Sequence, residues 1–327
     1  MRNCILSLTA LFLILDLCGC KKGGRGNDIK DAELGMVAWT QTMLDTSVDS
    51  LVAGDGFLDG NRVGILLNGS GYDTCMNVFV YEGGSWCGNA VSLTAEDACV
   101  YGFYPASLPV TGEAVVPSCS NRTIPVKIVN PEYFGGENQA DYMWAVSALG
   151  GKTAVVNRSK STASLVFMHA LSKITFSIKL DDNVKGTAML TGITLDKGGD
   201  GSFYCNSGIM SFDVSPACRL SGLSSVGELN FSGGCPLYNN TYSNVDVLVA
   251  PVAADNITVS ITMEINGTSC TSSQILPVKT ETSNLESWEA GKNYIYKIVT
   301  NGDELYIKGS VSITDWGKND GGSVEVN

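Results

Sequence analysis

His169 is the only histidine in the 327 residues. Ser–His or Cys–His catalysis needs an imidazole beside its nucleophile and a carboxylate behind it. The nearest hydroxyl to His169 is Ser172, and no Asp or Glu lies within several residues. The position therefore reads as a structural, hydrogen-bonded histidine near a core. Asp196-Lys197-Gly198-Gly199-Asp200-Gly201 has the ingredients of a calcium loop. It lacks the alternating oxygen ligands and the closing bidentate Glu, so a β-turn is expected. Gly54-Asp55-Gly56 and Gly69-Ser70-Gly71 precede no helix that would make them phosphate cradles. Trp39, Trp86, Trp144, Trp288 and Trp316 are of a type that stacks on sugars, but each falls at or near a strand-like segment, where core packing is the stronger expectation. No catalytic residue, metal ligand set or cofactor is expected, and the chain does not read as an enzyme.

Cysteine is the other reactive type, present in 11 copies. Cys4 and Cys18 belong to an N-terminal leader: Arg2, an apolar run from Ile5 to Leu15, then Asp16 and Leu17-Cys18-Gly19-Cys20 before an abrupt polar stretch. The run is too short for a membrane-spanning helix, which needs about twenty residues. The segment resembles a bacterial lipobox, with Asp16 and Cys18 as its departures from the usual pattern. That resemblance implies cleavage after residue 19, lipidation of Cys20 by acyl chains of the palmitate kind, and a stable anchor in the outer membrane. Eight cysteines remain: Cys75, Cys87, Cys99 and Cys119, then Cys205, Cys218, Cys235 and Cys270. None forms a Cys-x-x-Cys pair, which argues against zinc and thioredoxin chemistry. Two groups of four in an exported chain lead to an expectation of disulfides within each half, at least two in all. Free thiols acting as small buried hydrophobes are the alternative, and spacing does not give the connectivity.

Strands must position all of these residues. The composition has 37 Gly, only 9 Pro and 17% charged residues, with 33 acidic against 21 basic side chains and a net charge of −12. That balance excludes nucleic acid as a partner, since its binders concentrate positive charge. Lys173-Ile174-Thr175-Phe176-Ser177-Ile178-Lys179-Leu180 alternates apolar and polar positions, the pattern of a strand with one dry face and one wet face. Ile257 to Ile265 repeats it over nine residues. Further strands are predicted at 63–67, 77–81, 99–104, 124–129, 143–146, 190–195, 245–250, 294–299, 304–307 and 310–314. Asn68-Gly69, Asp181-Asp182-Asn183, Asn266-Gly267 and Asn301-Gly302-Asp303 supply turn chemistry between them. Residues 32–44 fit a strand slightly better than a short helix. No helical pattern recurs between strands, so the fold class expected is all-β, with antiparallel β-sandwiches. Residues 1–19 form the leader, 20–62 a tether with a possible removable strand, 63–182 one sandwich domain and 183–327 a second.

Around the histidine the sequence reads Phe167-Met168-His169-Ala170-Leu171-Ser172-Lys173, which resembles the Phe-x-His-x-Leu-Ser-Lys signature of the fimbrillin-like proteins of Bacteroidetes. Gly60-Asn61-Arg62-Val63-Gly64-Ile65, Val100-Tyr101-Gly102-Phe103-Tyr104-Pro105, Trp288-Glu289-Ala290-Gly291-Lys292-Asn293-Tyr294-Ile295-Tyr296 and Ile313-Thr314-Asp315-Trp316 resemble other family segments in the same order. The resemblance covers roughly residues 30–327 and implies an exported lipoprotein of two tandem, transthyretin-like sandwich domains. It makes His169, Leu171, Ser172 and Lys173 structural motif residues. It further implies a fimbrial subunit at the cell surface, with a stalk, tip or anchor role, joined to other subunits by β-strand addition after an Arg-directed protease removes an N-terminal strand. A host or bacterial surface receptor is a further partner on this reading. Arg25 and Arg62 are the candidate cleavage positions. A cut after Arg25 frees the chain from its lipid, whereas a cut after Arg62 also removes the candidate strand around 33–39 and makes Val63 the new N-terminus. The alternative function is that of a monomeric surface lipoprotein that binds glycans through exposed Trp and Tyr.

Overall fold

The fold comes from a computed structural model that describes residues 32–33, 35–40, 57, 59–72, 76–83, 85–89, 91–107, 112–134, 139–145, 154–199, 201–212, 219–280 and 283–316. Among these residues there are strands, turns and no helix. The first group of strands is β1 Ala32–Glu33, β2 Gly35–Thr40, β3 Arg62–Asn68, β4 Asn77–Glu82, β5 Ser85–Gly88, β6 Ser92–Leu93, β7 Ala98–Tyr104, β8 Thr123–Ile128, β9 Met143–Ala145, β10 Val155–Val156, β11 Thr162–His169 and β12 Ser172–Leu180. The second group is β13 Ala188–Lys197, β14 Phe203–Ser211, β15 Arg219–Ser221, β16 Ser224–Val226, β17 Glu228–Leu237, β18 Ser243–Val249, β19 Val252–Ala253, β20 Ile257–Ile265, β21 Thr268–Ile275, β22 Ser287–Trp288, β23 Lys292–Thr300, β24 Leu305–Ile307 and β25 Ser312–Asp315.

One large sheet runs in the order β2-β11-β9-β7-β3-β4-β5, with β10 also on β7. Its two end strands, β2 and β5, come back into contact, so the sheet curls. Inside the curl Val63, Ile65, Leu67, Val100, Leu165 and Phe167 form one apolar cluster. Phe57 sits among them as a hub, its ring edge-on to Trp86, Tyr104 and Phe167. Strand alternation sends Leu66, Phe103 and Trp144 to the opposite face. There they meet Ile124, Val126 and Ile128 of β8 and Met210 and Phe212 at the end of β14. Gly64 is needed at this crossing, because a Cβ there would stand 2.1 Å from the Phe103 ring.

Residues 172–316 build a second sandwich. One sheet is β18-β12-β23-β24 with β25 on β23, and the other is β17-β13-β20-β21. Ile174, Phe176 and Ile178 pack across the core against Leu190, Ile193 and Leu195, and against Ile257, Val259, Ile261 and Met263 of β20. The alternation of β20 matches its sequence pattern from Ile257 to Met263, with Ile265 half-buried at the end. β12 departs from its pattern: Thr175 and Ser177, expected in water, are buried. A central strand has neighbours on both sides, and Asp246 and Asn293 reach over Thr175 to accept its hydroxyl at 2.6 and 3.0 Å.

Most pairings are antiparallel, but β2 runs parallel to β11 and β12 parallel to β23. The excursion of β14–β16 leaves the second half and returns to β8 of the first, over six register pairs from Asn206↔Ile128 to Ser211↔Thr123.

Candidate functional site

Two features stand out: an N-terminal edge strand, and the joint behind it where the chain passes from one half to the other. β2 is an end strand of the curled sheet and meets only β11 on its hydrogen-bonded side, from Gly35↔Thr162 to Thr40↔Phe167. β11 presents Ala163, Leu165 and Phe167 to the enclosed cluster. β2 is thus a stave at the open side of an apolar interior. A strand taken from this place leaves a row of backbone donors and acceptors unpaired beside apolar surface.

β11 runs directly into β12, with only Ala170 and Leu171 between them. At this point the segments singled out in the sequence converge. His169 Nδ1 lies 3.0 Å from both carboxylate oxygens of Asp141. A carboxylate only accepts, so Nδ1 carries the proton. The imidazole stacks on the indole of Trp316, with centroids 3.8 Å apart and planes 13° from parallel. The Ala170 N–H donates to the Tyr142 carbonyl at 2.7 Å, and the Gly291 N–H donates to the Leu171 carbonyl at 2.9 Å. The Trp316 N–H in turn donates to the Gly291 carbonyl at 2.9 Å. Ser172 Oγ donates to the Glu289 carbonyl at 2.8 Å. Lys173 pairs with Asp246 at 2.9 Å, and Lys292 pairs with Asp315.

Below the joint, three aromatic residues of the 288–296 segment interlock. Trp288 Nε1–H donates to the Tyr296 hydroxyl at 3.0 Å, with both side chains buried. The Tyr294 hydroxyl donates to the Ser287 carbonyl at 3.1 Å and accepts from the Glu289 N–H at 2.7 Å. Burial pushes both phenols above their ordinary range, because a phenolate there would lose its water. The Tyr142 hydroxyl accepts the Lys127 N–H at 2.8 Å and ties β8 to the joint.

Asp141 is the joint residue that sequence reading missed. It lies 28 positions upstream of His169, and only the pairing of β9 with β11 brings the two together. The arrangement has no free nucleophile beside the imidazole, since Ser172 Oγ is spent on a carbonyl. It joins segments. In the Asp196–Gly201 stretch, Lys197 is buried, and its ammonium donates to the Ala253 carbonyl at 2.9 Å and to the Asp255 carboxylate at 2.9 Å. That ion pair holds the Asp255 carboxyl below the usual carboxylate range.

The cysteines require a correction. Cys87, Cys99, Cys205, Cys235 and Cys270 are free thiols, so the expectation of bridges within each half fails for them. Register shows what keeps Cys235 and Cys270 of the second group apart. Cys235 is opposite Leu190, Leu190 opposite Met263, and Met263 opposite Cys270. Three strand spacings make roughly 14 Å, about twice the reach of a disulfide. Cys205 is buried on a different sheet, where desolvation pushes its thiol up to about 11. Cys119 is not among the free thiols. Cys20, Arg25, Cys75 and Cys218 lie outside the described residues. Arg62 opens β3 with an exposed side chain, and its carbonyl accepts the Ala106 N–H at 2.9 Å.

A family model for fimbrillin-like proteins matches residues 79–316. The chain belongs to the fimbrillin-like family. As a member it is a structural protein and not an enzyme. Three solved structures are similar to this fimbrillin-like chain. A candidate cell adhesion protein of Bacteroides uniformis is 13% identical with a TM-score of 0.57, covering 88% of this chain and 98% of that one. Another of Bacteroides ovatus is 16% identical with a TM-score of 0.55, over the same shares. A fimbrial protein of Bacteroides vulgatus is 15% identical with a TM-score of 0.52, covering 88% of this chain and 100% of that one. At these identities the likeness is one of fold. A search of curated proteins finds no match.

Proposed function

We propose that this chain is a fimbrial subunit at the cell surface, exported as a lipoprotein acylated on Cys20 and assembled by strand addition. One observation carries the reading: β2 closes the curled sheet from its edge, held by a single hydrogen-bonded neighbour, with the apolar interior behind it. Removing β2 opens a groove that a strand from another subunit fills, satisfying the backbone of β11 and covering Leu165 and Phe167. In this scheme the two sandwich units meet at Ala170-Leu171 and not at the expected boundary after residue 182, because β12 lies in the sheet of the second, and the β14–β16 excursion lends cover to the first.

Arg62 is the processing position that frees β2. Its side chain is exposed, but its backbone is paired, so cleavage requires the first residues of β3 to lift from β4 and from Ala106. Cleavage at Arg25 leaves β2 in place and serves release from the lipid. N-terminal sequencing of fimbriae sheared from cells tests the scheme. A mature terminus at Val63 is the expected result for a polymerised stalk subunit, and an intact acylated Cys20 assigns an anchor or tip role. Polymers whose subunits all begin at Gly26 would rule out loss of β2 as the assembly step.

A further inference from the structure

Tyrosines gather at the end of the second sandwich farthest from the joint. β12 leaves the joint at Ser172 and ends at Leu180, roughly 26 Å away at the rise of a strand. On the outer face of this end, register places four residues in one row. Lys179 is opposite Val299, and Val299 is opposite Tyr306. Tyr242 completes the row, one position beyond the Ile178↔Ser243 pair. Lys179 Nζ lies 5.8 Å from the centre of the Tyr242 ring and donates to the Asn239 carbonyl at 3.4 Å. Val299 forms a buried floor. Tyr238 stands beside the row, its carbonyl accepting the Leu180 N–H at 2.8 Å. Tyr238, Tyr242 and Tyr306 are 50%, 37% and 47% exposed, so none is spent on a core.

The connection between β17 and β18 reads Tyr238-Asn239-Asn240-Thr241-Tyr242. Rigid amphipathic rings alternating with short adaptable hydrogen-bonding side chains is the composition of a recognition loop. Asp181, Asp182, Asp303 and Glu304 lie in the adjoining turns, and the Tyr306 hydroxyl donates to Glu304.

We propose that this pole is a binding site for a neutral oligosaccharide. A sugar ring offers a C–H face to stack on tyrosine and a rim of hydroxyls for amides and carboxylates, the two kinds of group interleaved here. A protein partner fits less well, because the buried centre of such an interface is depleted of Asp, Glu and Lys. Sulfated or uronic glycans fit less well too. Four carboxylates, one of them Asp182 paired with Lys179 at 3.4 Å, outnumber Lys179, Lys297 and Lys308 at this pole, on a chain of net charge −12. Tyr242 and Tyr306 are three strand spacings apart, roughly 14 Å, so a ligand touching both is an oligosaccharide and not a single sugar. The site lies in the other half from β2 and does not depend on strand addition.

The test uses the full chain on a printed panel of neutral, sialylated and sulfated oligosaccharides, followed by calorimetric titration of the bound ones. Binding to a subset of neutral glycans is expected. Tyr242→Ala and Tyr306→Ala should each weaken it about three- to ten-fold, the range of one aromatic stack. Tyr242→Phe should retain binding, and Tyr204→Ala, an exposed tyrosine on β14, should leave it unchanged. Each variant is checked for an unaltered melting temperature. Absence of binding to the whole panel, a preference for sulfated glycans, binding indifferent to both alanine variants, or capture of proteins alone would each overturn the proposal.

Discussion

Replacing His169 with alanine removes two interactions at the joint whose sizes follow from the geometry. The stack on Trp316, at 3.8 Å and nearly coplanar, is worth about 1 kcal/mol. The hydrogen bond to the Asp141 carboxylate belongs to the class worth about 1.5–3 kcal/mol. The Asp141 side chain is 28% exposed and regains water when the imidazole leaves, so the lower end, about 1.5 kcal/mol, applies. The sum is about 2.5 kcal/mol, and at about 2 °C per kcal/mol for a chain of this size the melting temperature falls by about 5 °C. Calorimetry on His169→Ala, Trp316→Ala and the double variant isolates the stack. The cycle should show about 1 kcal/mol of coupling, since each single change already removes the shared contact. Asp141→Asn keeps an acceptor but loses the charge, and should cost about half as much as His169→Ala. A drop under 1 °C for His169→Ala, or strictly additive single effects, would refute the account of the joint as a coupled unit.

Tyr296→Phe leaves the buried indole N–H of Trp288 without a partner. The expected cost is about 1–3 kcal/mol, read as a lower denaturation midpoint at unchanged slope; an unchanged midpoint would count against that hydrogen bond. The thiols make a separate, pH-dependent prediction. At pH 8 a thiol reagent should modify exposed Cys87 in the native chain and leave Cys205 untouched, because burial holds Cys205 near 11 against an ordinary 9.0. The unfolded thiol ionises first, so the stability linked to Cys205 is complete below about pH 9 and is lost as pH rises toward 11. Cys205→Ala should flatten that alkaline decline in a denaturation series, and an identical decline in the variant would assign it elsewhere.

The all-β class was legible because hydrophobic alternation is a local property of the chain. β20 is the clearest case, and the segment at residues 32–44, read narrowly as strand, carries β1 and β2. Strands without that alternation were missed. β21 reads Thr-Ser-Cys-Thr-Ser-Ser-Gln-Ile, an edge strand that buries Ser272 where the pattern seeks an apolar residue. β17 carries Gly233, Gly234 and Pro236, which read as turn chemistry and are tolerated on a sheet edge. β11 is apolar on both faces because both are covered, so period-two counting fails there. The parallel pairings of β2 and β23 join segments far apart in sequence, and no local pattern encodes them. The same limit hid Asp141 and led to too many expected disulfides: spacing along the chain says little about distance across a sheet. Trp144 and Trp288 are buried, Trp86 packs partly buried against the first core and Trp316 stacks on His169, as their strand positions implied, while the side chain of Trp39 lies outside those described. The exposed rings are tyrosines: Tyr204 and Tyr306 stand on strands, whereas Tyr238 and Tyr242 lie in a connection that a strand-seeking reading passes over.

A signature centred on a lone histidine invites a chemical reading, and the fold turns it into a mechanical one. β11, the neighbour of β2, continues through the motif into β12, which lies between β18 and β23 at the centre of the second sandwich. On the proposed assembly by strand addition, tension on a strand held against β11 enters β12 along its length. Eight parallel register pairs with β23 and seven antiparallel pairs with β18 receive it. Bonds loaded along the strand direction share the force, whereas bonds at a strand end break one after another. The contacts of His169, Ser172 and Lys173 fasten the single two-residue gap in that path, Ala170-Leu171, to Asp141, Glu289 and Asp246. On the fimbrial reading, the motif stiffens the covalent passage between the two halves, which the pairing of β14 with β8 joins a second time.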